Sequence, residues 1–374
     1  MTDHPIIGYD AKRIVRNGTG LGSYGRTLVN DLAAYPLQLR LYAPDKGRDD
    51  LRTQVPERPN LQYVYPSKPI LPRFLWRSRY IVNDLLRDGV QLYHGLSGEL
   101  PVGIRKSGIK TVVTIHDLIF LRQPEFYNRI DTKIYAWKFR KTLDEADHII
   151  AISERTRDDI LHYAPDVDPS RITLIYQSCS PRFTVPEPRP EPVEGNSPRY
   201  ILSVGSIETR KNILLAVKAL HHLPDAIGLV IVGRPTSYTD QVRRYVQLHR
   251  LESRVTFLHD VSNDQLPQLY AQAEAFVYPS RYEGFGIPII EAISQRLPVV
   301  ACTGSCLEEA GGPDSLYVDP DNAEGMAHAI SQVLFGAPDR QQRIDRSREY
   351  IKRFENTGAA QRFVDIYSEL VEKN

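Results

Sequence analysis

Short apolar runs alternate with amphipathic stretches along most of the chain, and this alternation predicts its elements. PIIGYD reads as a buried strand. NGTGLGSYGRTLVNDLAAY follows as a glycine loop running into a helix with Leu28, Leu32 and Tyr35 on one face. LQLRLYAP and LQYVYP read as strands, LPRFLWRSRYIVNDLLRDG as a helix, and VQLYHG and KTVVTIHDL as strands, the second β-branched and central. DTKIYAWKFRKTLDEA reads as a helix, DHIIAIS as a strand, ERTRDDILHYA as a helix and RITLIYQS as the strand that closes this half. Such alternation makes a mostly parallel sheet with helices on both faces.

Val185 to Pro198, VPEPRPEPVEGNSP, holds five prolines and almost no apolar periodicity. That density favours an extended, solvated chain, and the stretch reads as a linker. The strand–helix pattern then restarts: RYILSVGSI, TRKNILLAVKALHHL, IGLVIVGRP, DQVRRYVQLHRL, RVTFLHDV, DQLPQLYAQA, AEAFVYPS, GIPIIEAISQR and LPVVACT alternate as strand and helix, and DSLYVDP and NAEGMAHAISQVLFG finish the sheet. The tail from about Arg340 reads as helical, with a loosening at Asn356-Thr357-Gly358. The expected architecture is therefore α/β, two doubly wound parallel-sheet domains at 1–184 and 199–354 joined by 185–198. Ligands in such sheets bind beyond the carboxyl ends of the strands, here expected to face an inter-domain cleft.

The length of 374 residues suits two domains, and 41% hydrophobic with 25% charged residues is ordinary for a soluble globular protein. The 47 basic and 46 acidic residues nearly cancel, so net charge does not point to nucleic acid. Three cysteines form no disulfide framework, and Cys302-x3-Cys306 lacks the accompanying ligands of a metal site. No apolar run reaches the roughly 20 residues that span a bilayer, and MTDHPIIGYD lacks the pattern of a signal peptide. A cytoplasmic protein is expected.

The candidate chemistry lies in four places. Gly18-Thr19-Gly20-Leu21-Gly22 stands between the first strand and helix, where glycine lets backbone approach a ligand; a tight βα turn is the alternative. His116-Asp117 ends the central strand, either as a polar pair aimed at ligand or as a satisfied histidine beside a capping aspartate. In GSIETRKN, Arg210 and Lys211 enter a helix from its first turn, where cations oppose the dipole; an anion such as a phosphate between them and the amides resolves the conflict, and a solvated basic pair is the alternative. Tyr278 to Arg296, YPSRYEGFGIPIIEAISQR, sets Glu283 in a loop and Glu291 on a helix. Both can accept from sugar or ribose hydroxyls, and Gly284, Phe285 and Gly286 are expected to leave backbone N–H groups exposed.

These residues carry a resemblance. RYEGFGIPIIEA resembles the E-x7-E motif of retaining glycosyltransferases of family 4, which have the GT-B fold, and SVGSIETRKNI resembles that family's strand–loop–helix with its Arg-Lys pair. IGLVIVG, RVTFLHDVSNDQLPQLYAQAEAFVYPS and LPVVACTGSCLEEAGG are similar to its following segments, in order, from about 199 to 335; in the first half the glycine loop and VVTIHDLIF match more loosely. The arrangement is most similar to bacterial mannosyltransferases of the O-antigen and polysaccharide type.

The resemblance implies a hexosyltransferase that uses a nucleotide sugar, GDP-mannose first and UDP- or dTDP-sugars next. It implies a C-terminal helix, about 355–374, that packs back on the N-terminal domain. Lys211 with Arg210 would hold the donor diphosphate, Gly205 and Ser206 would line that site, and Glu291 would bind the ribose. Glu283 would contact the transferred hexose, helped by amides at Phe285, Gly286 and Ile287 beside Gly284, and His116 would reach the hexose from the N-terminal domain. Gly20, Leu21, Gly22 and Asp117 would line the cleft near phosphate and acceptor, and Val261 would lie near the base. Many members carry arginine where this chain has Ser206, which puts more weight on Lys211. No DxD-like acidic metal site is evident, so cationic side chains would replace a metal, and a front-face route in which the leaving phosphate deprotonates the acceptor is implied. The acceptor would be a glycan or lipid-linked oligosaccharide. The basic, aromatic stretches 71–87 and 133–141 could rest on anionic lipid headgroups on the inner face of the cytoplasmic membrane, or be packed helices with solvated basic faces. A sugar-nucleotide 2-epimerase and a non-catalytic nucleotide- or glycan-binding protein share the architecture; a Rossmann dehydrogenase fits poorly, given the weak first loop.

Overall fold

The computed structural model describes residues 4–66, 72–177, 179–183, 186–187, 199–262, 264–355 and 358–372. Most of the proline-rich stretch 185–198 lies outside these residues, as do Leu71, Asn356 and Thr357. The chain forms two compact units: Met1–Gln177 with Thr357–Asn374, and Ser178–Asn356. The sequence reading drew its first boundary at 184. The residues just ahead of 184, from Ser178, belong to the second unit, where Phe183 packs edge-on against Tyr270 and its carbonyl accepts from Gln295 Nε2 at 3.0 Å.

In the first unit seven parallel strands, β1 (Ile6–Asp10), β2 (Gln38–Tyr42), β3 (Leu61–Val64), β4 (Leu92–Gly95), β5 (Lys110–Ile115), β6 (His148–Ala151) and β7 (Ile172–Leu174), lie in the order β3-β2-β1-β4-β5-β6-β7. Val112, Val113 and Ile115 are buried on both faces of β5, as a near-continuous apolar run in a covered parallel sheet demands. The connection order reverses between β1 and β4.

The region after β1 differs from its sequence reading. A short helix, Lys12–Arg16, follows the strand, and Gly20, Leu21 and Gly22 form the first turn of the helix Gly20–Leu32 rather than a loop. The two helices meet so closely that a Cβ at Gly22 would stand 1.8 Å from the Asn17 carbonyl oxygen and 2.8 Å from that of Arg13. Gly22 is required here by helix packing. The stretch Arg73–Arg87 is likewise not one regular helix, since Trp76–Tyr80 forms a π turn. From that turn Arg77 pairs with Asp10, at the end of β1, at 2.5 Å and with Glu99, which also meets Lys138 at 3.0 Å.

The C-terminal helix Ala359–Glu372 buries Phe363 and Tyr367 in the core of the first unit. Tyr367 Oη lies 2.6 Å from His94 Nδ1, and His94 Nε2 lies 2.8 Å from Thr114 Oγ1. Burial lowers the His94 pKa to about 3, so this internal pair is neutral.

The second unit repeats the design with six parallel strands, β8 (Arg199–Val204), β9 (Ile227–Val232), β10 (Val255–Leu258), β11 (Ala275–Tyr278), β12 (Val299–Cys302) and β13 (Leu316–Val318), in the order β10-β9-β8-β11-β12-β13. Its switch point falls between β8 and β11, where loops leave in opposite directions and open a crevice. A short helix, Leu307–Gly311, which the sequence reading passed over, packs near the start of the helix Ile287–Ser294. A Cβ at Gly286 would stand 3.2 Å from both Leu307 and Ala310.

Candidate functional site

The loops after β8 and β11 flank the second switch point and carry most of the candidate residues. Gly205 leaves β8 with φ +148°, a conformation open to glycine. It is met by Gly233 at the end of β9, where an added Cβ would lie 1.8 Å from the Gly205 carbonyl oxygen. Gly233 was not singled out in the sequence; the sign available was a glycine closing an otherwise branched apolar strand.

Arg210 and Lys211 do not sit in a helix's first turn. They belong to the 3-10 turn Thr209–Lys211, and Asn212, in the left-handed conformation at φ 52°, separates that turn from the helix Ile213–Ala219. The break turns both cations toward the β11 loop, which is tied to them by the Arg281 N–H donating to the Arg210 carbonyl at 2.9 Å.

The anion called for by this basic pair is supplied by the protein. Glu283 Oε1 lies 2.6 Å from Lys211 Nζ and its Oε2 lies 3.0 Å from Arg210 Nη1. Arg210 Nη1 also donates to the Tyr282 carbonyl at 2.5 Å, and Lys211 Nζ to Tyr278 Oη at 2.6 Å. Glu283 is 8% exposed. Burial alone would raise its pKa, but Lys211 and then Arg210 outweigh it and hold the carboxyl at about 2. Burial works against the charge of Lys211 too, yet Glu283 keeps its pKa above the ordinary lysine value. All three groups are therefore ionised at neutral pH. Ser203, Gly205, Ser206, Lys211, Tyr278 and Ser280 line a small pocket, partly open to solvent, beside this triad.

The Gly284–Ile287 segment is less open than expected: Phe285 is buried edge-on against Phe354, and Gly286 is buried at φ +119°. Cys306 Sγ pins the turn, its one S–H lying between the carbonyls of Glu283 at 3.1 Å and Phe285 at 2.9 Å. Ile287 opens its helix, Pro288 carries no N–H and the Ile289 N–H donates to the Gly286 carbonyl at 2.9 Å, so of the first turn the Ile287 amide is the one with no preceding turn to bond.

Glu291 stands on that helix in different surroundings. Its Oε2 accepts from Tyr270 Oη at 3.0 Å, and burial raises its pKa to about 7. The two glutamates thus have opposite electrostatics, one fixed as an anion and one titrating near neutrality. Val261 lies partly buried in the loop after β10.

In the first unit His116 follows β5 directly. Its Nε2 lies 2.9 Å from the Leu96 carbonyl oxygen and its Nδ1 lies 3.1 Å from Gln177 Nε2, so the ring donates through Nε2 and accepts through Nδ1. Burial lowers its pKa to about 4. Tyr24 meets the ring edge-on at 4.8 Å, and Asp117 Oδ1 accepts from the Ile119 N–H at 3.2 Å. Both ring nitrogens are engaged within the protein. Among the described residues no three His, Cys, Asp or Glu side chains gather as a metal site would require.

Comparison with known proteins adds the following. Residues 18–181 match the family model described as Glycosyltransferase Family 4, and residues 185–350 match that described as Glycosyl transferases group 1. The O-antigen chain mannosyltransferase RfbU of Salmonella typhimurium is 30% identical over 243 residues, and the O-antigen chain mannosyltransferase B of Escherichia coli is 30% identical over 255 residues. Each match covers 65% of this chain and 65% of the relative, so the chain spans about two thirds of those proteins, slightly less. Sucrose-phosphate synthase from Thermosynechococcus elongatus superposes with a TM-score of 0.81 at 20% identity, over 99% of this chain and 100% of that one. WaaG, a glycosyltransferase involved in lipopolysaccharide biosynthesis, superposes at 0.71 with 16% identity, over 96% and 99%. These likenesses bear out the GT-B fold of two Rossmann-like parallel-sheet domains.

Proposed function

The chain belongs to the family 4 glycosyltransferases, and from that premise we propose that it moves a hexose, mannose from GDP-mannose, onto a glycan or lipid-linked oligosaccharide of a bacterial surface polysaccharide, with retention of configuration and without a metal ion. The observation that carries this reading is the buried Lys211–Glu283–Arg210 triad beside the Gly205–Ser206 turn. Two fixed cations and a glycine-lined turn suit a diphosphate. Their charge acts most strongly as negative charge develops on the leaving nucleotide, which is where binding energy accelerates the reaction. Glu283 holds the cations in place before the donor arrives and offers its carboxylate to hexose hydroxyls once the diphosphate shares their charge. Glu291 takes the ribose, and Val261 lies toward the base. The leaving phosphate takes the acceptor's proton. The printed functions of the two O-antigen relatives support mannose as the sugar.

The test is transfer of radiolabel from GDP-mannose to a lipid-linked oligosaccharide fraction in the presence of EDTA, with UDP- and dTDP-sugars in parallel. Label is expected to enter the acceptor from GDP-mannose. Transfer from a UDP- or dTDP-sugar instead would reassign the donor, loss of transfer with EDTA would end metal independence, and release of an epimerised sugar nucleotide without acceptor would replace transfer by epimerisation.

Peripheral contact with an anionic bilayer at the cytoplasmic face is part of the same reading. No helix of the described residues is long and apolar enough to cross a membrane. Two helices of the first unit instead present large apolar side chains to solvent: Phe74 is 70% exposed, Ile130 71% and Trp137 56%. Ile130, Ile134 and Trp137 form a stripe along the helix Arg129–Glu145, flanked by exposed Arg129 and Lys133, and Arg79 is exposed beside Phe74, Leu75 and Tyr80. Glu99 ties the two helices together through Arg77 and Lys138. Aromatics and aliphatics at the interface with cations toward phosphate suit a lipid surface. The protein is expected to float with phosphatidylglycerol vesicles and to lose most of that binding as Ile130→Ser/Trp137→Ser; sedimentation without vesicles in both cases would refute the contact.

A further inference from the structure

The Glu291 carboxylate is met by the hydroxyl of Tyr270. Among the described residues Tyr270 is the one side chain hydrogen-bonded to its carboxylate, donating to Oε2 at 3.0 Å. Tyr270 is fully buried, with Phe183 edge-on at 5.7 Å and Phe276 tilted against it at 5.3 Å, so its ring is held on two sides. The same hydroxyl stands 3.4 Å from the Pro288 carbonyl oxygen, in the first turn of the helix that carries Glu291. A phenol has one proton to donate and two acceptors here. With Glu291 ionised the proton goes to Oε2, the nearer acceptor. With Glu291 protonated, the carboxylic O–H can donate to Tyr270, whose own proton turns to Pro288.

We propose that Tyr270 is the positioning residue of the donor site, fixing one oxygen of Glu291 in its ionised form so that the other is presented to a ribose diol. The proposal rests on the reading of Glu291 as the ribose ligand. A carboxylate accepts from both hydroxyls of a diol, whereas a carboxylic acid does so poorly, so the ionised form is the competent one. The groups that face Glu291 are Tyr270 from the helix Leu266–Gln272, Arg182 from the turn Pro181–Phe183, and Cys179. Arg182 also pairs with Asp264 at 3.5 Å. Burial is the largest influence and favours the acid; the Tyr270 bond and then Arg182 oppose it, leaving Glu291 at about 7. Removal of the hydroxyl therefore tips Glu291 toward the protonated form at neutral pH and leaves its oxygen free to swing.

The experiment is calorimetric titration of GDP-mannose, with UDP-glucose in parallel, between about pH 6 and 9, against the wild type, Tyr270→Phe and Glu291→Gln. The diphosphate diester of both donors keeps its charge across this window; the guanine and uracil N–H groups begin to ionise at its upper end, and Glu291→Gln, which meets the same donor at the same pH, is the reference that removes that change. Wild-type affinity is expected to rise by about tenfold as pH climbs through neutrality. Tyr270→Phe is expected to bind about five- to tenfold more weakly at neutral pH, with its midpoint moved up by about one unit and affinity recovered near pH 9. Glu291→Gln is expected to be weak at every pH. A Tyr270→Phe profile that overlies the wild type while Glu291→Gln is weakened overturns the positioning role, as does equal weakening of Tyr270→Phe across the whole range. Wild-type binding by Glu291→Gln instead overturns the ribose reading. Thermal melting shows whether Tyr270→Phe folds; if it does not, 3-fluorotyrosine placed at 270, a stronger donor of the same shape, is expected to move the midpoint below that of the wild type, and an unmoved midpoint overturns the proposal.

Discussion

Replacing Lys211 by alanine is expected to lower kcat/KM for hexose transfer by about 10²- to 10³-fold, the usual cost of removing one charge-stabilising group from a preorganised site. Lys211 Nζ is held from two sides, by Glu283 at 2.6 Å and Tyr278 Oη at 2.6 Å. Its side chain runs past Gly205, where an added Cβ would stand 3.7 Å from Nζ. A group fixed this way needs no reorganisation when charge develops on the leaving phosphate. Ser206 adds no cation at the neighbouring position, so the positive charge beside the pocket comes from Lys211 and Arg210. Lys211→Arg is not expected to rescue, because the larger guanidinium does not fit where one compact ammonium stands 2.6 Å from both Glu283 Oε1 and Tyr278 Oη. Steady-state kinetics with saturating acceptor measure the effect; transfer within threefold of wild type would remove Lys211 from the chemistry.

Glu283→Ala is expected to destabilise the protein by about 3–5 kcal/mol at neutral pH, since it strands Lys211 and Arg210 in a buried site without their counter-charge. The pH dependence follows from the depressed pKa. Folding holds Glu283 at about 2 against an ordinary value of 4.5, so its stabilisation is fully present above 4.5 and is lost as pH falls toward 2. The gap between wild type and Glu283→Ala should therefore be constant above pH 4.5 and narrow as the pH falls from there toward 2. Denaturant unfolding at several pH values measures the gap. Glu283→Ala/Lys211→Met should recover part of the loss, because the most deeply buried stranded cation is gone. A gap that widened in acid would show that Glu283 is not held as an anion.

The parts of this structure that repeat were readable. Apolar runs located both sheets because the central strands are covered on both faces, as Val112 and Val113 of β5 illustrate, while a strand such as β2 alternates buried and partly buried positions. Local side-chain caps at Asn128, Ser153 and Asn322 mark helix starts that the sequence also signals. What escaped depends on approach between distant segments. Gly22 was read for a ligand because nothing in NGTGLGSYG reveals that Asn17 and Arg13 carbonyls press on it. Arg210 and Lys211 were assigned to a helix because Asn212 adopts a left-handed conformation that its neighbours do not announce. The partner anion of that pair lies more than seventy positions away, and only the parallel pairing of β8 with β11 brings Glu283 to it. Tyr270 and Glu291 meet because the helices before and after β11 pack side by side, which the strand and loop between them do not announce.

The measurement that bears most directly on the donor site is calorimetric titration of GDP-mannose into the wild type and Lys211→Ala near pH 8, where Glu291 is ionised. Saturable binding to the wild type, weakened at least about tenfold by Lys211→Ala, is the expected result. Equal affinity of the two proteins for GDP-mannose would place the diphosphate elsewhere and contradict the site described.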